Sequence, residues 1–371
     1  MLLAEDLDAL VDPIVALYEE YTQSVLNDIA RRLAKMPMTE TATWQMQRLI
    51  ESGLVYENAL EELARLTGRS QRALREAFDA AGVKSLAFDD SIYINAGLNP
   101  LPINLSPAMA QVLSAGLSKT QGIVTNMTMT TATTGQTAFI QAADLAYMQV
   151  ANGAMSYDQA IRAAIQQVAQ GGLTVISYRG SADQLDVAMR RAVLTGVSQT
   201  TGEMQIERMN EMDVDLVQTS AHIGARPDHQ RWQGTIFSRS GRDKRYPDFV
   251  AETGYGTGPG LMGWNCRHSF YPFFDGISKN AYRQRELDSY ASKVLTYQGK
   301  EISVYEATQI QRGIERKIRA WKRQAYALEA ASLDNAREIA KIRAWQARMR
   351  SFIQQTKLNR QYVREGVRIM V

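Results

Sequence analysis

The sequence predicts a mainly α protein with a smaller α+β module. Three observations predict it. Apolar residues recur at three- and four-residue steps over long stretches near both ends, which places them on one face of a helix. Short β-branched or aromatic runs stand out in the middle of the chain, at 173–178, 213–220 and 269–274. Between the last two lies a stretch, 221–265, dense in Gly, Pro and Arg, with the period of neither helix nor strand.

Bulk numbers bound the reading. The chain has 371 residues, 45% apolar and 22% charged, enough for a sizeable core and for two or three domains. A single Cys excludes an internal disulfide framework. The opening MLLAEDLDALVDPIVALYEEY carries acids where a secretory signal needs Lys or Arg. No apolar run reaches the roughly 18 residues of a membrane span. The expectation is a product made in the cytoplasm without a membrane anchor.

The net charge of +3 conceals an asymmetry. From Lys279 to Val371 there are 20 Lys and Arg against 9 Asp and Glu, a balance of +11, which leaves −8 on residues 1–278. A basic tail on an acidic body suits a polyanion or an acidic partner; a solvated helix face that touches nothing is the plain alternative.

In chain order, Leu7, Leu10, Ile14, Leu17, Tyr21, Val25 and Ile29 share one helix face. Pro13 predicts a kink, or a start near Asp12, and Pro37 an end. Thr39 to Ile50 reads as a second helix stopped near Gly53. Residues 57–82 read as two short amphipathic helices with a turn at Gly68 and Ser70 as N-cap. That pattern resembles a helix-turn-helix, with Arg69, Arg72 and Arg75 as DNA contacts, or else an ordinary helical hairpin.

Pro100, Pro102 and Pro107 make a connector. Ser106-Pro107 opens a helix to about Lys119. The Thr-rich stretch 120–137 has no clear state, because Thr disfavours helix. A helix over about 136–150 follows. Ser156 and Gln159 form a capping-box pattern for a helix ending at Gly171-Gly172. A strand at 173–178, a helix from Asp183 to Met212 and a strand at 213–220 lead into the Gly-rich loops. In the tail, Ile314, Ile318, Trp321, Ala325 and Leu328 step as an a/d seam that needs an apolar partner in the chain or in another subunit. Ser332 or Asp334 recaps the chain, and Ile339, Ile342, Trp345, Met349 and Phe352 continue the stripe. Four consecutive segments result: 1–105 helical, 106–172 helical, 173–280 α+β, and 281–371 a basic helical tail.

All three His and the one Cys fall between 222 and 268. Gly254, Gly256, Gly258, Gly260 and Gly263 imply backbone pressed against a neighbour, and Trp232 and Trp264 are candidate apolar anchors. Three readings of the cluster stay open. His222, His229, Cys266 and His268 have zinc-ligand chemistry, but at no standard finger spacing and with one thiolate, so no cofactor is expected. His222 or His229 with Asp228 and Arg226 could act as general acid and base on a phosphate, as in a nuclease. Alternatively these residues form a buried polar network in which Arg226 and Arg267 donate to carbonyls or carboxylates.

The string from AHIGARPDHQRWQG to TGYGTGPGLMGWNCRHSFYPF resembles the signature of the phage minor capsid protein 2 family. It is also similar to the C-terminal motif of the Mu F-like head morphogenesis proteins, strongest over 170–280. The matching positions are Arg226, Pro227, His229, Gly234, Asn265, Cys266 and Arg267. His268 stands where the Mu F-like pattern has a second Cys, which weakens a two-thiolate zinc site. The resemblance implies a non-enzymatic, low-copy head protein of a tailed phage, made in the host cytoplasm and located in the virion. It would contribute to head morphogenesis at the portal, beside major capsid or scaffolding proteins, with a role in DNA packaging or ejection. Arg312, Arg316, Lys317, Arg319, Lys322 and Arg323 are then the expected contacts to packaged double-stranded DNA.

Overall fold

In the computed structural model, residues 2–176 and 182–366 are described. Most of them are helical, and the sheets are small and antiparallel, so the mainly α class with an α+β module holds. The helices are α1 (Ala4–Lys35), α2 (Thr41–Asn95), α3 (Pro107–Ala151), α4 (Tyr157–Gly171), α5 (Leu185–Glu211), α6 (Pro227–Gln230), α7 (Phe249–Thr253), α8 (Gln284–Ser292), α9 (Val304–Ala330) and α10 (Ala336–Thr356). The strands are β1 (Thr174–Ile176), β2 (Ala182–Gln184), β3 (Leu216–Thr219), β4 (Ile236–Ser238), β5 (Phe270–Pro272), β6 (Val294–Tyr297) and β7 (Lys300–Ser303).

Two compact units form, each from three stretches. Met1–Pro13, Arg72–Ile123 and Arg190–Gln309 make the first, and Ile14–Gln71, Val124–Met189 and Ile310–Val371 the second. Neither coincides with one of the four consecutive segments.

The helices are longer than the local signals predict. α1 starts at Ala4, not near Asp12, with Pro13 inside it. It stops at Lys35, just before Pro37. α2 runs unbroken for 55 residues. The stop at Gly53 and the turn at Gly68 do not exist, and with them goes the helix-turn-helix reading of 57–82. A glycine inside a helix costs about 1 kcal/mol. Against that stands a continuous buried face, with Val55, Ala59, Leu66, Ser70, Leu74, Ala77 and Ala81 at helical spacing across Gly68. Ser70 caps nothing; its hydroxyl meets Tyr18 Oη at 2.6 Å.

α3 likewise continues past Lys119 through the Thr-rich stretch to Ala151. Its threonines bond back to their own helix: Thr128 Oγ1 donates to Thr125 O at 2.9 Å, Thr131 to Thr128 O at 2.6 Å, and Thr137 to Thr133 O at 2.9 Å. Back-bonding removes the cost of burying a hydroxyl, which allows a poor helix former inside a packed helix. The Ser156–Gln159 capping box of α4 is present with both bonds. α5 begins at Leu185, two residues later than Asp183, because Asp183 pairs with Val175 in the β1–β2 ladder. Ser177 and Tyr178 of the strand expected at 173–178 lie outside the described residues.

In the second unit the α9 seam is buried at Ile314, Ile318, Ala325 and Leu328, with Trp321 half-buried. On α10, Met349 and Phe352 are buried, and Ile339, Ile342 and Trp345 are half-buried. Buried Glu338 of α10 pairs with Arg162 of α4 at 3.0 Å.

In the first unit α3 and α5 interlock glycine against threonine twice. A Cβ on Gly116 would lie 1.9 Å from Thr200 Oγ1, and one on Gly196 2.2 Å from Thr120 Oγ1. A three-stranded antiparallel sheet, ordered β4-β3-β5, follows α5. Its central strand is the expected one over 213–220, trimmed to Leu216–Thr219 and wholly buried. Val217 faces Phe237 on one side and Pro272 on the other. The core here gathers Tyr93, Met209, Val217, Trp232, Phe237, Phe249, Leu261, Met262, Cys266 and Phe270. The region read as plain loop, 221–265, holds α6, β4 and α7 as well. The tail also holds an antiparallel hairpin, β6–β7, which its helical spacing does not predict. Buried Gln205 of α5 ties this unit together, donating to Asp89 Oδ2 at 2.8 Å and to the Phe270 carbonyl.

Candidate functional site

The His/Cys cluster sits in the first unit, where α6 and the glycine-rich loop meet the start of β5. Arg226 precedes α6 and Pro227 is its first residue, where a missing N–H costs nothing. One turn on, His229 is buried, while Asp228 stays 63% exposed. The loop brings Cys266 and His268 back against His229.

Glycine makes that return possible. A Cβ on Gly260 would lie 2.0 Å from the Gly254 carbonyl oxygen, and one on Gly263 2.1 Å from the Gly258 carbonyl oxygen. The loop is therefore packed backbone on backbone. Gly260→Ala is expected to lower stability by about 3 kcal/mol, because a backbone oxygen cannot step aside as a side chain can. Gly256 has a positive φ but nothing within 4 Å of its Cβ. Gly256→Ala should therefore cost only about 1 kcal/mol of strain. Equal losses for the two variants in a denaturant titration would refute the packing argument.

Inside the cluster, Cys266 Sγ lies 3.7 Å from His229 Nδ1 and 3.6 Å from His268 Nδ1. His268 Nε2 meets Gln233 Oε1 at 3.0 Å, and the same oxygen accepts the His222 backbone N–H at 2.8 Å. His229 Nε2 meets the Pro259 carbonyl at 2.9 Å. Arg226 Nη2 donates to that carbonyl at 2.8 Å and also touches His229 Nε2; Arg226 Nη1 reaches the Trp264 carbonyl at 3.3 Å. The His222 ring stacks on His268 with centroids 4.3 Å apart, and its Nδ1 turns to the Ile223 carbonyl. Trp232 packs 4.7 Å from both the His229 and the His268 rings.

The remaining motif residues serve the same loops. Gly234 adopts φ +65° and its carbonyl accepts from Gln218 Nε2 at 2.9 Å. Asn265 adopts φ +55°, the left-handed turn that aims Cys266 inward. Trp264 is 47% exposed and lies over Gly258, so it is less of an anchor than buried Trp232. Arg267 holds Asp8 of α1 with both arms, at 2.5 and 2.9 Å. The residue types gave no sign of Gln233 or Asp8.

Burial sets the electrostatics. Desolvation pushes the imidazoles of His222, His229 and His268 below their ordinary pKa, so they are held neutral. Desolvation also raises the Cys266 thiol, against backbone N–H groups of His268, Met262 and Arg267 that favour its thiolate. A reactive cysteine has the opposite bias and an open approach. Of the nuclease set, Arg226, Asp228 and His229 do meet, with the exposed Asp228 carboxylate 3.6 Å from Arg226 Nε and 4.0 Å from His229 Nε2. But His229 is buried with Nε2 against the Pro259 carbonyl, and His222 turns to the Ile223 carbonyl.

The six basic residues of the tail separate in the same way. Arg319 is buried against Asp186 at 3.0 Å, and Arg323 is buried with its guanidinium on the Ala169 and Gln170 carbonyls. Lys322 donates to the Gly366 carbonyl at 2.6 Å. These three hold the second unit together and are not free for phosphate. Arg312 is half-buried, while Arg316 and Lys317 are exposed.

Long amphipathic helices, and a loop module whose polar side chains bond inward, describe a structural protein. The profile of the phage minor capsid protein 2 family matches residues 2–354, and the chain belongs to that family. A "Structural protein" of Lactococcus phage LL-H is 23% identical over 359 residues, covering 92% of this chain and 93% of the relative. A "Structural protein" of Lactococcus phage mv4 is 33% identical over 126 residues, covering 33% of this chain and 93% of the relative. No solved structure matches the chain. No helix among the described residues is long and apolar enough to cross a membrane.

Proposed function

We propose that the protein is a non-enzymatic minor component of a tailed-phage head, seated at the portal, with a basic surface on α9 and α10 turned toward packaged DNA. Family membership supports the head assignment, and the motif likeness of 170–280 to Mu F-like proteins, read from the sequence, supports the portal position. One observation carries the DNA contact. Arg316 and Lys317 on α9, and Arg337, Lys341, Arg343 and Arg350 on α10, are exposed, and among the described residues none has an acidic partner. The portal, major capsid and scaffolding proteins are its partners in this reading, and the virion its location.

Removing residues 279–371 would be a poor test, because Ile310–Val371 belongs to the second unit. Substituting these six side chains by Gln in the full-length chain leaves the core intact. A protein that neutralises six phosphates loses about a thousandfold in affinity between 50 and 200 mM salt. We expect that steep dependence in the wild type and a much shallower one in the sixfold variant, measured by mobility shift. Identical salt slopes would exclude this surface. A density map of the virion neck tests the portal position.

A further inference from the structure

We propose that His229, Cys266 and His268 form a zinc site that staples α6 to the loop leading into β5. The three ligand atoms lie within 4.8 Å of one another, and all three residues are buried. Around tetrahedral zinc, with Zn–S of about 2.3 Å and Zn–N of about 2.0–2.1 Å, a sulfur and a nitrogen ligand sit about 3.6 Å apart. The two S···N separations here are 3.6 and 3.7 Å.

Hydrogen bonding identifies the ring nitrogens that face the sulfur. Gln233 Oε1 accepts a backbone N–H from His222, which only an oxygen can do, so His268 Nε2 must donate to it. That leaves His268 Nδ1 as a bare lone pair. His229 Nε2 meets both the Pro259 carbonyl, which can only accept, and Arg226 Nη2, which can only donate; in the tautomer with Nε2–H on the carbonyl, His229 Nδ1 turns a lone pair to the sulfur as well. Each imidazole is thus oriented by a partner on its far nitrogen, the arrangement that supports metal-bound histidines. On the sulfur side, the His268 backbone N–H donates to Sγ at 3.4 Å, as a thiolate ligand requires.

With both Nδ1 lone pairs turned to the sulfur, one S–H can serve only one of them, and the other is left buried without a donor, an expensive state. A divalent ion satisfies all three atoms at once. The positive charge of Arg226 is offset by Asp228 at 3.6 Å. The spacing that argued against zinc counts residues along the chain, whereas coordination needs only convergence in space.

The test uses full-length protein stripped with a chelator and titrated with Co²⁺. We expect one Co²⁺ per chain, with the visible absorption of a tetrahedral ion and a thiolate-to-cobalt band in the near ultraviolet, displaced by Zn²⁺. Cys266→Ser should remove the thiolate band. Because that variant could fail to fold, a second reading uses the wild type. Cys266 is the only thiol, so alkylation reports on it alone. Zn²⁺ should slow alkylation at least tenfold and raise the melting temperature. No cobalt uptake, cobalt bound without the thiolate band, or alkylation indifferent to Zn²⁺ would each overturn the site.

Discussion

Ile318→Asp is expected to destabilise the full-length protein by about 4 kcal/mol or more. Ile318 is fully buried in the α9 seam, beside buried Ile314, Ala325 and Leu328. A carboxylate there must either ionise in an apolar site or take up a proton, and both are costly. The neighbouring cations offer no rescue without loss. Arg319 is paired with Asp186, and Arg323 is spent on the Ala169 and Gln170 carbonyls. Lys317, one position earlier, is exposed, so Lys317→Asp should change stability by about 0.5 kcal/mol or less. A urea titration of both variants checks the pair. A wild-type midpoint for Ile318→Asp would mean that the seam is not a packed core.

Asp89→Asn should stabilise the protein, and by an amount that grows with pH. Asp89 is fully buried on α2, and desolvation pushes its carboxyl from 3.8 up to about 8, against the hydrogen bond from Gln205. The folded chain therefore keeps a proton there that the unfolded chain has lost between those two values. Stability falls as pH rises from about 4 to about 8, because the folded state binds more protons over that window. Asn mimics the protonated acid and removes the dependence. The expected gain is close to zero near pH 4 and roughly 4 kcal/mol at pH 7. The measurement is denaturant unfolding of both proteins across pH 4–8. A gain that does not change with pH would show that Asp89 is ionised in the folded chain.

Glycine and histidine chemistry gave different amounts away in the sequence. The density of His, Cys and Gly between 222 and 268 marked the site, because every His and the one Cys of the chain fall there, among closely spaced glycines that the loop needs. Gln233 and Asp8 stayed invisible. Gln233 is an ordinary side chain whose oxygen happens to meet both His222 and His268. Asp8 meets Arg267 across 259 positions of chain.

By itself the sequence determined what depends on near neighbours along the chain. The capping box at Ser156 and Gln159, the end of α1 before Pro37, and the buried faces of α1 and α9 all rest on bonds or spacings within a few residues. Tertiary structure alone decided the continuity of α2 and α3. A preference of about 1 kcal/mol at Gly68 is outweighed by the burial of a face many turns long. It alone decided which charges are free. Lys317 and Ile318 are adjacent in sequence, yet successive residues on a helix point about 100° apart, so one meets water and the other the core. It alone also brought His229 to Cys266 and His268. That convergence depends on two close passes of backbone over backbone, at Gly260 and Gly263, and neither follows from any local preference.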